Sequence, residues 1–472
     1  MMVGLMAALI VSQPHAAPVL TLEQAFKETE QNNLDLKVAN AKLAQAREIA
    51  SKAWAGYLPQ ISVGGSYTRN DSAASLTLPT GYYLRDVDPA TSGAAKILET
   101  ANGPASFDAS QPVSADNPVG SRSNTIMYPS GMINFDLQKK EQVGAQVQVS
   151  QALVVPALWA GIRNAYLVGD IAELSVKHAR REVLFAVAQI YYGIVGLKET
   201  AVVQERLLQN TADHEKDAGT RFASGSLPRI GLLRAQIDRS KAEQDLLRTQ
   251  NSLAGLKLAL NTLLAREADF DVTAPEQQMV FGGRAELEDA AVADRLDLQA
   301  ARLSTTLAGR SHSAVFYKYL PNIIAQAQYR IANIAGFTGK NDAWAVSLLA
   351  SWNILDGGLR ESELRESESK LVEAQASERS VELKAREEVK RALLDLQSAE
   401  TKLKSATEMS KLAGENMQLV NVSYESGMAT PIEVSDATTQ HALAELGVVG
   451  ETLNAKLAAL RLLKAAGAFD PQ

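Results

Sequence analysis

The side chains that most often carry out chemistry in proteins are scarce and scattered in this sequence. There is no cysteine, which excludes disulfides, thiolate metal ligands and a cysteine nucleophile. The five histidines lack the spacing of a metal site: His15, His178, His214, His312 and His441. The stretches GGSY and DGG do not have the pattern of a phosphate-binding loop, and no serine, histidine and aspartate follow the order of a catalytic triad. We therefore expect no enzymatic activity, no cofactor and no bound metal.

The composition indicates a large folded protein. Of the 472 residues, 46% are hydrophobic and 21% are charged, which is too apolar for general disorder. The formal net charge is -7, so a broad surface for nucleic-acid phosphates is not expected. The length predicts either two or three domains or one large repeated architecture.

The N-terminus has the apolar run of a secretory signal. The run, residues 3–11, is too short to cross a bilayer, and Ala16 and Ala17 offer a cleavage point, so we predict a signal peptide over residues 1–17. Because no lysine or arginine precedes the run, the apolar N-terminus of a cytosolic protein is the alternative. Nowhere else are there eighteen consecutive apolar residues, so any membrane crossing is expected to be made by strands.

The chain aligns with itself in a consistent register. Residues 32–46 match 294–308 at an offset of 262, and residues 221–236 match 423–438 at an offset of 202. The first offset also relates two Tyr-Leu-Pro corners, which contain Tyr57 and Pro59 in the first half and Tyr319 and Pro321 in the second. One unit is therefore used twice.

We place the two repeats at residues 18–267 and 268–472. The first repeat carries about 61 extra residues, which fall between residues 70 and 140 and include six prolines. This composition predicts a long irregular inserted loop, either disordered or packed as a lid.

Each repeat contains a long helical run. Residues 359–422 hold no proline and one glycine, Gly414, and the matching run of the first repeat begins after Pro156. Such length is typical of a coiled coil. Each run ends at a glycine, Gly225 or Gly427, and is expected to turn there into a second helix. Spacings of three and four predict core positions in the second run: Val389, Leu393, Leu396 and Leu403.

Four short stretches alternate between apolar and small or polar residues, as strands do: 61–68, 143–150, 323–331 and 344–351. A half-buried sheet of a soluble protein gives the same alternation. Their length, about nine or ten residues, and a belt of aromatic residues near their ends favour a membrane wall instead. These aromatic residues are Trp54, Tyr57, Trp159, Tyr317, Tyr319 and Trp352.

Four strands are too few to close a barrel by themselves. An open edge in lipid leaves backbone groups unpaired at several kcal/mol each, so copies of the chain must assemble. A dimer would give eight strands and a lumen filled by side chains, whereas a trimer would give twelve and a water-filled channel. The small and polar inward residues favour the trimer. The predicted fold class is therefore an α+β membrane protein with a duplicated repeat.

The stretches LTLEQAF and NNLDLKVA, the paired Tyr-Leu-Pro corners and the paired glycine tips together resemble the TolC-like outer-membrane efflux proteins. The resemblance covers about residues 20–466, without the insertion. It implies a homotrimer whose twelve-stranded barrel in the outer membrane continues into a long α-helical barrel across the periplasm. It also implies docking, through the tips at Gly225 and Gly427, on a periplasmic adaptor and an inner-membrane transporter that export drugs, metals or proteins.

The same resemblance implies an aperture near the second tip. The family's tyrosine corresponds to Tyr424 and its acidic positions to Glu433 and Asp436, which lie three apart on one helix face. Six such carboxylates in a trimer would attract cations and raise one another's pKa. The chain departs from the family pattern at Ala429, where an arginine is expected, and at Gly231, where an aspartate is expected. A solvated acidic helix face is the alternative.

Two further interpretations stay open. One is a soluble periplasmic coiled-coil scaffold or adaptor whose strands form a small capping sheet. The other, compatible with a channel, gives the insertion at residues 70–140 a role as a phage receptor or adhesion surface.

Overall fold

The computed structural model of this chain describes residues 18–86, 96–98, 125–267, 269–275, 289, 291–335 and 339–471. The predicted signal peptide, residues 1–17, and much of the predicted insertion lie outside these ranges. The chain divides into two compact units, one helical and one built of strands. Each unit takes segments from both predicted repeats: the described residues within 18–52, 160–316 and 357–471 form the helical unit, and those within 53–159 and 317–356 form the strand unit. The boundary between repeats at residue 267 stays a prediction.

Seven α-helices have both ends within the described residues: α1 (Leu22–Asn32), α2 (Leu34–Ala55), α3 (Pro156–Ala223), α4 (Arg229–Leu264), α5 (Leu296–Phe316), α6 (Leu359–Glu425) and α7 (Pro431–Ala465). Helices α3 and α6 are 68 and 67 residues long, which confirms the two predicted long runs. None of the described helices combines the length and apolarity that a membrane crossing requires.

Glycine ends both long helices. Gly225 and Gly427 have φ angles of 74° and 79°, the left-handed conformation that glycine adopts without a steric penalty. The structure therefore places both predicted tip glycines in the turns α3–α4 and α6–α7. The second turn leads directly into a capping box, in which Thr430 caps α7 ahead of Pro431 at its first position.

Nine strands in the described part of the chain form three sheets. They are β1 (Val19–Leu20), β2 (Gln60–Arg69), β3 (Ala74–Asp86), β4 (Lys96–Leu98), β5 (Thr125–Gln138), β6 (Glu141–Val154), β7 (Asp271–Val272), β8 (Asn322–Ala332) and β9 (Asp342–Ser351). The four predicted strands are confirmed as β2, β6, β8 and β9, which form one antiparallel sheet in the order β2-β6-β8-β9. The Tyr-Leu-Pro corners directly precede β2 and β8.

The prediction of an irregular loop at residues 70–140 is wrong for its described part. Strands β3 and β5 pair antiparallel and extend the chain beyond the β2–β6 hairpin, and β4 pairs with β3. Apolar and polar residues alternate along both strands and match across the pair. Leu76 lies opposite Phe135 and Leu78 opposite Ile133, while Thr77 lies opposite Asn134. The prolines and the glycine- and serine-rich composition hid this pattern.

The core of the helical unit is built around Tyr191 of α3, whose side chain is 1% exposed. Its hydroxyl donates to the carbonyl oxygens of Leu20 at 2.9 Å and Thr273 at 2.8 Å. These carbonyls flank the short parallel pair β1–β7, so one side chain ties the N-terminal segment to the long helix. The hydroxyl of the neighbouring Tyr192, also buried, makes no hydrogen bond within the described residues.

A second core runs between α6 and α7. Val389 and Leu396, two of the predicted core positions, are buried, and Leu393 and Leu403 are half-buried. Most other members of this core are alanines, among them Ala399 and Ala458. Small side chains let the axes of two long helices approach closely.

Replacing Tyr191 with phenylalanine tests the importance of this buried hydroxyl. Tyr191→Phe removes the hydrogen bonds of this hydroxyl to two carbonyl oxygens, one of them buried, so we expect it to lower the free energy of unfolding by about 1–3 kcal/mol. The measurement is denaturant unfolding followed by circular dichroism. Tyr192→Phe is the matched control and is expected to change it by less than about 0.5 kcal/mol. An equal loss of unfolding free energy in the two variants would contradict the importance of the Tyr191 hydroxyl.

Candidate functional site

The turns α3–α4 and α6–α7 lie beside each other and enclose a cavity of about 590 Å³. All four helices line it, and two of the predicted aperture residues, Tyr424 and Asp436, are among the lining residues. The walls are mostly apolar, with Leu227, Ile230 and Ile432 between the polar groups. This size and character are typical of functional pockets.

Tyr424, at the end of α6, is bound by two residues of α3. Its hydroxyl donates to Asp217 Oδ2 at 3.0 Å. Arg221 Nε lies 2.9 Å from the same carboxylate oxygen, and the Arg221 guanidinium carbon lies 4.7 Å from the centre of the Tyr424 ring. We call Asp217, Arg221 and Tyr424 the tip link. Burial, and then the negative charge of Asp217, raise the pKa of Tyr424, so the hydroxyl stays protonated and able to donate at neutral pH.

A second contact joins α4 and α7 across the same cavity. Ser435 Oγ donates to Asp238 Oδ2 at 2.7 Å. Asp436, the next residue, lines the cavity and has no hydrogen-bond or ion-pair partner among the described residues. Its free carboxylate is available to a cation.

Within the described chain, Glu433 does not offer a free carboxylate as Asp436 does. Its carboxylate accepts hydrogen bonds from the Thr430 backbone N–H at 2.7 Å and from Thr430 Oγ1 at 3.0 Å. These bonds, the backbone bond first, lower the pKa of Glu433. Within one chain the carboxylate is occupied in capping α7 and is stabilised in its charged form. The rise expected from six carboxylates in a trimer stays a prediction.

The two departures from the family pattern have structural counterparts. The guanidinium that lies over Tyr424 comes from Arg221 of α3, and not from the position of Ala429 after the second tip. At Gly231, an added Cβ would lie 3.0 Å from two carbons of Leu227, so a larger side chain there requires Leu227 to move. The side chain of an aspartate at position 231 would therefore lie against the apolar side chain of Leu227.

Sequence reasoning missed Asp217, Arg221, Asp238 and Ser435. The spacing of Asp217 and Arg221, four residues apart just before the first tip, was a visible sign of an ion pair. Their contact with Tyr424 was not visible, since 207 residues separate the hydrogen-bonded pair. In the described part of the chain, no three His, Cys, Asp or Glu side chains are placed to hold a metal ion.

Comparison with solved structures identifies the class of fold. The chain matches the outer membrane protein VceC from Vibrio cholerae with 18% identity and a TM-score of 0.71, over 95% of this chain and 97% of that one. It matches the CmeC outer membrane channel of Campylobacter jejuni with 12% identity and a TM-score of 0.72, over 98% and 92%. It matches the MtrE outer membrane channel of Neisseria gonorrhoeae with 16% identity and a TM-score of 0.67, over 96% and 90%. The fold is the α+β fold of these outer-membrane channels.

The family model described as outer membrane efflux protein matches residues 287–468, so the second half of the chain carries that sequence pattern. No curated protein sequence matches the chain. The resemblance to the TolC-like outer-membrane efflux proteins is thereby confirmed, and the channels that the chain resembles are outer-membrane proteins.

The tip link can be tested without reference to transport. Tyr424→Phe removes the hydrogen bond to Asp217 but keeps the ring beside Arg221, so we expect a loss of about 1 kcal/mol of local stability. This corresponds to roughly fivefold faster amide exchange at both tips, residues 219–228 and 421–430, measured by mass spectrometry. Arg206→Gln is the control, because it removes another contact between helices, with Glu445, outside the tips. Unchanged exchange in Tyr424→Phe would show that the hydrogen bond does not hold the tips together.

Proposed function

We propose that this protein is the outer-membrane channel-tunnel of a tripartite efflux or type I secretion system. Three copies form a twelve-stranded barrel in the outer membrane, which continues into a long α-helical barrel in the periplasm. The channel conducts small molecules or proteins passively from the periplasm to the exterior, while an adaptor and an inner-membrane transporter supply selection and energy.

The observation that supports this proposal best is the four-stranded sheet with its apolar face uncovered. Ile61 and Val63 of β2 are 70% and 76% exposed, and Trp344 and Val346 of β9 are 75% and 71% exposed. In water such a surface would aggregate, whereas in a bilayer it is the lipid-facing wall. The alternative of a soluble periplasmic scaffold predicts that one face of the sheet packs on a core, and within the described residues neither face of β2 or β9 does.

The opposite face of the sheet suits a water-filled lumen. Across β6 and β8 it carries a ladder of glutamines, in which Gln148 lies opposite Gln328 and Gln146 opposite Arg330. Gln328 Nε2 also reaches Gln146 Oε1 at 3.4 Å. Polar groups of this kind hydrate a conduit without forming a dedicated binding pocket, which supports passive conduction of varied cargo.

The tips suit docking of a partner protein. Several large apolar side chains are exposed around Gly225 and Gly427, including Ile230, Ile432 and Met428, the last 79% exposed. Exposed apolar side chains beside polar ones are typical of a protein interface. We assign this surface to the periplasmic adaptor, and the tip link to closure of the channel entrance.

The first experiment separates a channel from a soluble scaffold. We expect the full-length protein to fractionate with outer membranes, to require detergent for extraction and to have three times the mass of one chain by light scattering. The physical reason is the cost of several kcal/mol for each unpaired backbone group of an open sheet edge in lipid. A stable monomer in detergent-free buffer would contradict the proposal.

A second experiment tests the aperture by single-channel recording. Asp436 has a free carboxylate, whereas Glu433 is occupied in the helix cap. We therefore expect Asp436→Asn to weaken block of the current by a multivalent cation by at least tenfold, since each of three copies loses a charge. Glu433→Gln, which keeps a capping side chain, serves as the control and is expected to change the block by less than about threefold. Equal effects of the two variants would place both carboxylates at the constriction.

A further inference from the structure

The sheet has two free edges that match each other. Strands β2 and β9 lie at the two ends of the sheet, each is ten residues long, and each is exposed at every residue. Because every neighbouring pair in the sheet is antiparallel, β9 runs antiparallel to β2. One rotation can therefore bring β9 of one copy against β2 of the next with the same polarity as the rest of the sheet.

Resting on the proposed trimer, we propose a specific register for this contact between copies. Asp342 lies opposite Arg69 of the next copy, Trp344 opposite Tyr67, and Leu348 opposite Val63. Each copy thus presents β9 to one neighbour and β2 to the other, and three such contacts close the ring.

Charge supports this register at one end of the contact. Arg69 ends β2 and Asp342 begins β9, and in the proposed register the two strands are flush at both ends. Arg69 has no ion pair among the described residues, although it lies across from Glu141 in its own sheet. A shift of two residues in one direction would instead place Asp342 opposite Asp71, where like charges face each other.

The side of the sheet on which each residue lies, and the pairing of aromatic residues, support the same register. A shift by one residue would turn the apolar face of one copy toward the lumen, so only even shifts compete. In the proposed register Trp344 has a tyrosine on each side: Tyr329 in its own sheet and Tyr67 of the next copy. Val346 lies opposite Gly65 of the next copy, so its side chain faces a residue that has none.

The tilt of the strands gives an independent constraint. Across the sheet, Gln60 lies opposite Ser150, Ser150 lies opposite Gln326, and Gln326 lies opposite Ser347. In the proposed register Ser347 faces Gly64 of the next copy, and not Gln60, where the series began. The stagger along β2 is therefore about four residues per copy and about twelve around the ring of three copies. With about 3.3 Å per residue and about 4.8 Å between strands, this stagger tilts the strands by about 35°. A shift of two residues in one direction gives about 19°, which lies outside the range of about 35–45° for closed barrels. A shift of two in the other direction gives about 46°, and it is the shift that places Asp342 opposite Asp71.

Absence of cysteine makes the register directly testable by disulfide formation. Within one chain, β2 and β9 are three strand spacings apart, about 14 Å, which is too far for a disulfide. Any bond between Tyr67→Cys and Trp344→Cys therefore joins two copies. We expect the double variant, purified in detergent and mildly oxidised, to give covalent dimers and trimers on non-reducing gels.

The matched control combines Tyr67→Cys with Val346→Cys, one step along the same face. Residues directly opposite have Cβ atoms about 4.5–5.5 Å apart and diagonal ones about 7–8 Å, so we expect at least about tenfold more cross-linking in the proposed pair. Val63→Cys with Leu348→Cys is a second pair in the same register and is expected to behave like the first. It keeps the test decisive if loss of the two aromatic side chains impairs folding.

The outcomes separate the register from the trimer. Native mass of a trimer with cross-links at 67/344 and 63/348 supports both. A trimer that cross-links at 67/346 instead overturns the register and leaves the channel intact. A monomer with no cross-link at any pair overturns the proposed function together with the register.

Discussion

A backbone N–H or C=O group in hydrocarbon has no water to bond with, and leaving it unpaired costs several kcal/mol. This chain has a four-stranded sheet with an uncovered apolar face and two free edges, β2 and β9. In the proposed outer-membrane channel neither edge can stay free. In that proposal, the need to pair the two edges is the reason that copies of the chain assemble, and it determines which strands of neighbouring copies meet.

The helical unit obeys a different constraint, which is close packing over long distances. Helices α3 and α6 have 68 and 67 residues, and side chains of ordinary size would force their neighbours apart. Along the α6–α7 seam the buried residues are largely alanines, and Gly196 of α3 lies so close to Leu453 that an added Cβ would be 2.7 Å from it. Small residues in these positions keep the helices near enough for dispersion contacts to accumulate.

Much of this fold could be predicted from the sequence, because helix and strand periods are local properties. The alternation in β2, β6, β8 and β9, the glycine at each tip and the repeat offsets are all visible along the chain. The tip link was not, because Asp217 and Tyr424 meet only after two long helices have packed. The capping contact of Glu433 was missed although it is local: Thr430, three residues earlier, forms a capping box with it.

The sheet of the strand unit and the tip link of the helical unit differ in how easily their contacts can open. In the proposed barrel, separating two paired strands would expose several backbone groups to lipid, so thermal fluctuations do not open it. In the tip link, by contrast, the side chains of Asp217 and Arg221 are 46% and 43% exposed, and an ion pair at such exposure contributes about 0–1 kcal/mol. A docking partner can supply that amount with a few apolar contacts. In the proposed channel a gate therefore belongs at the tips of α3 and α6, while the sheets of neighbouring copies stay paired.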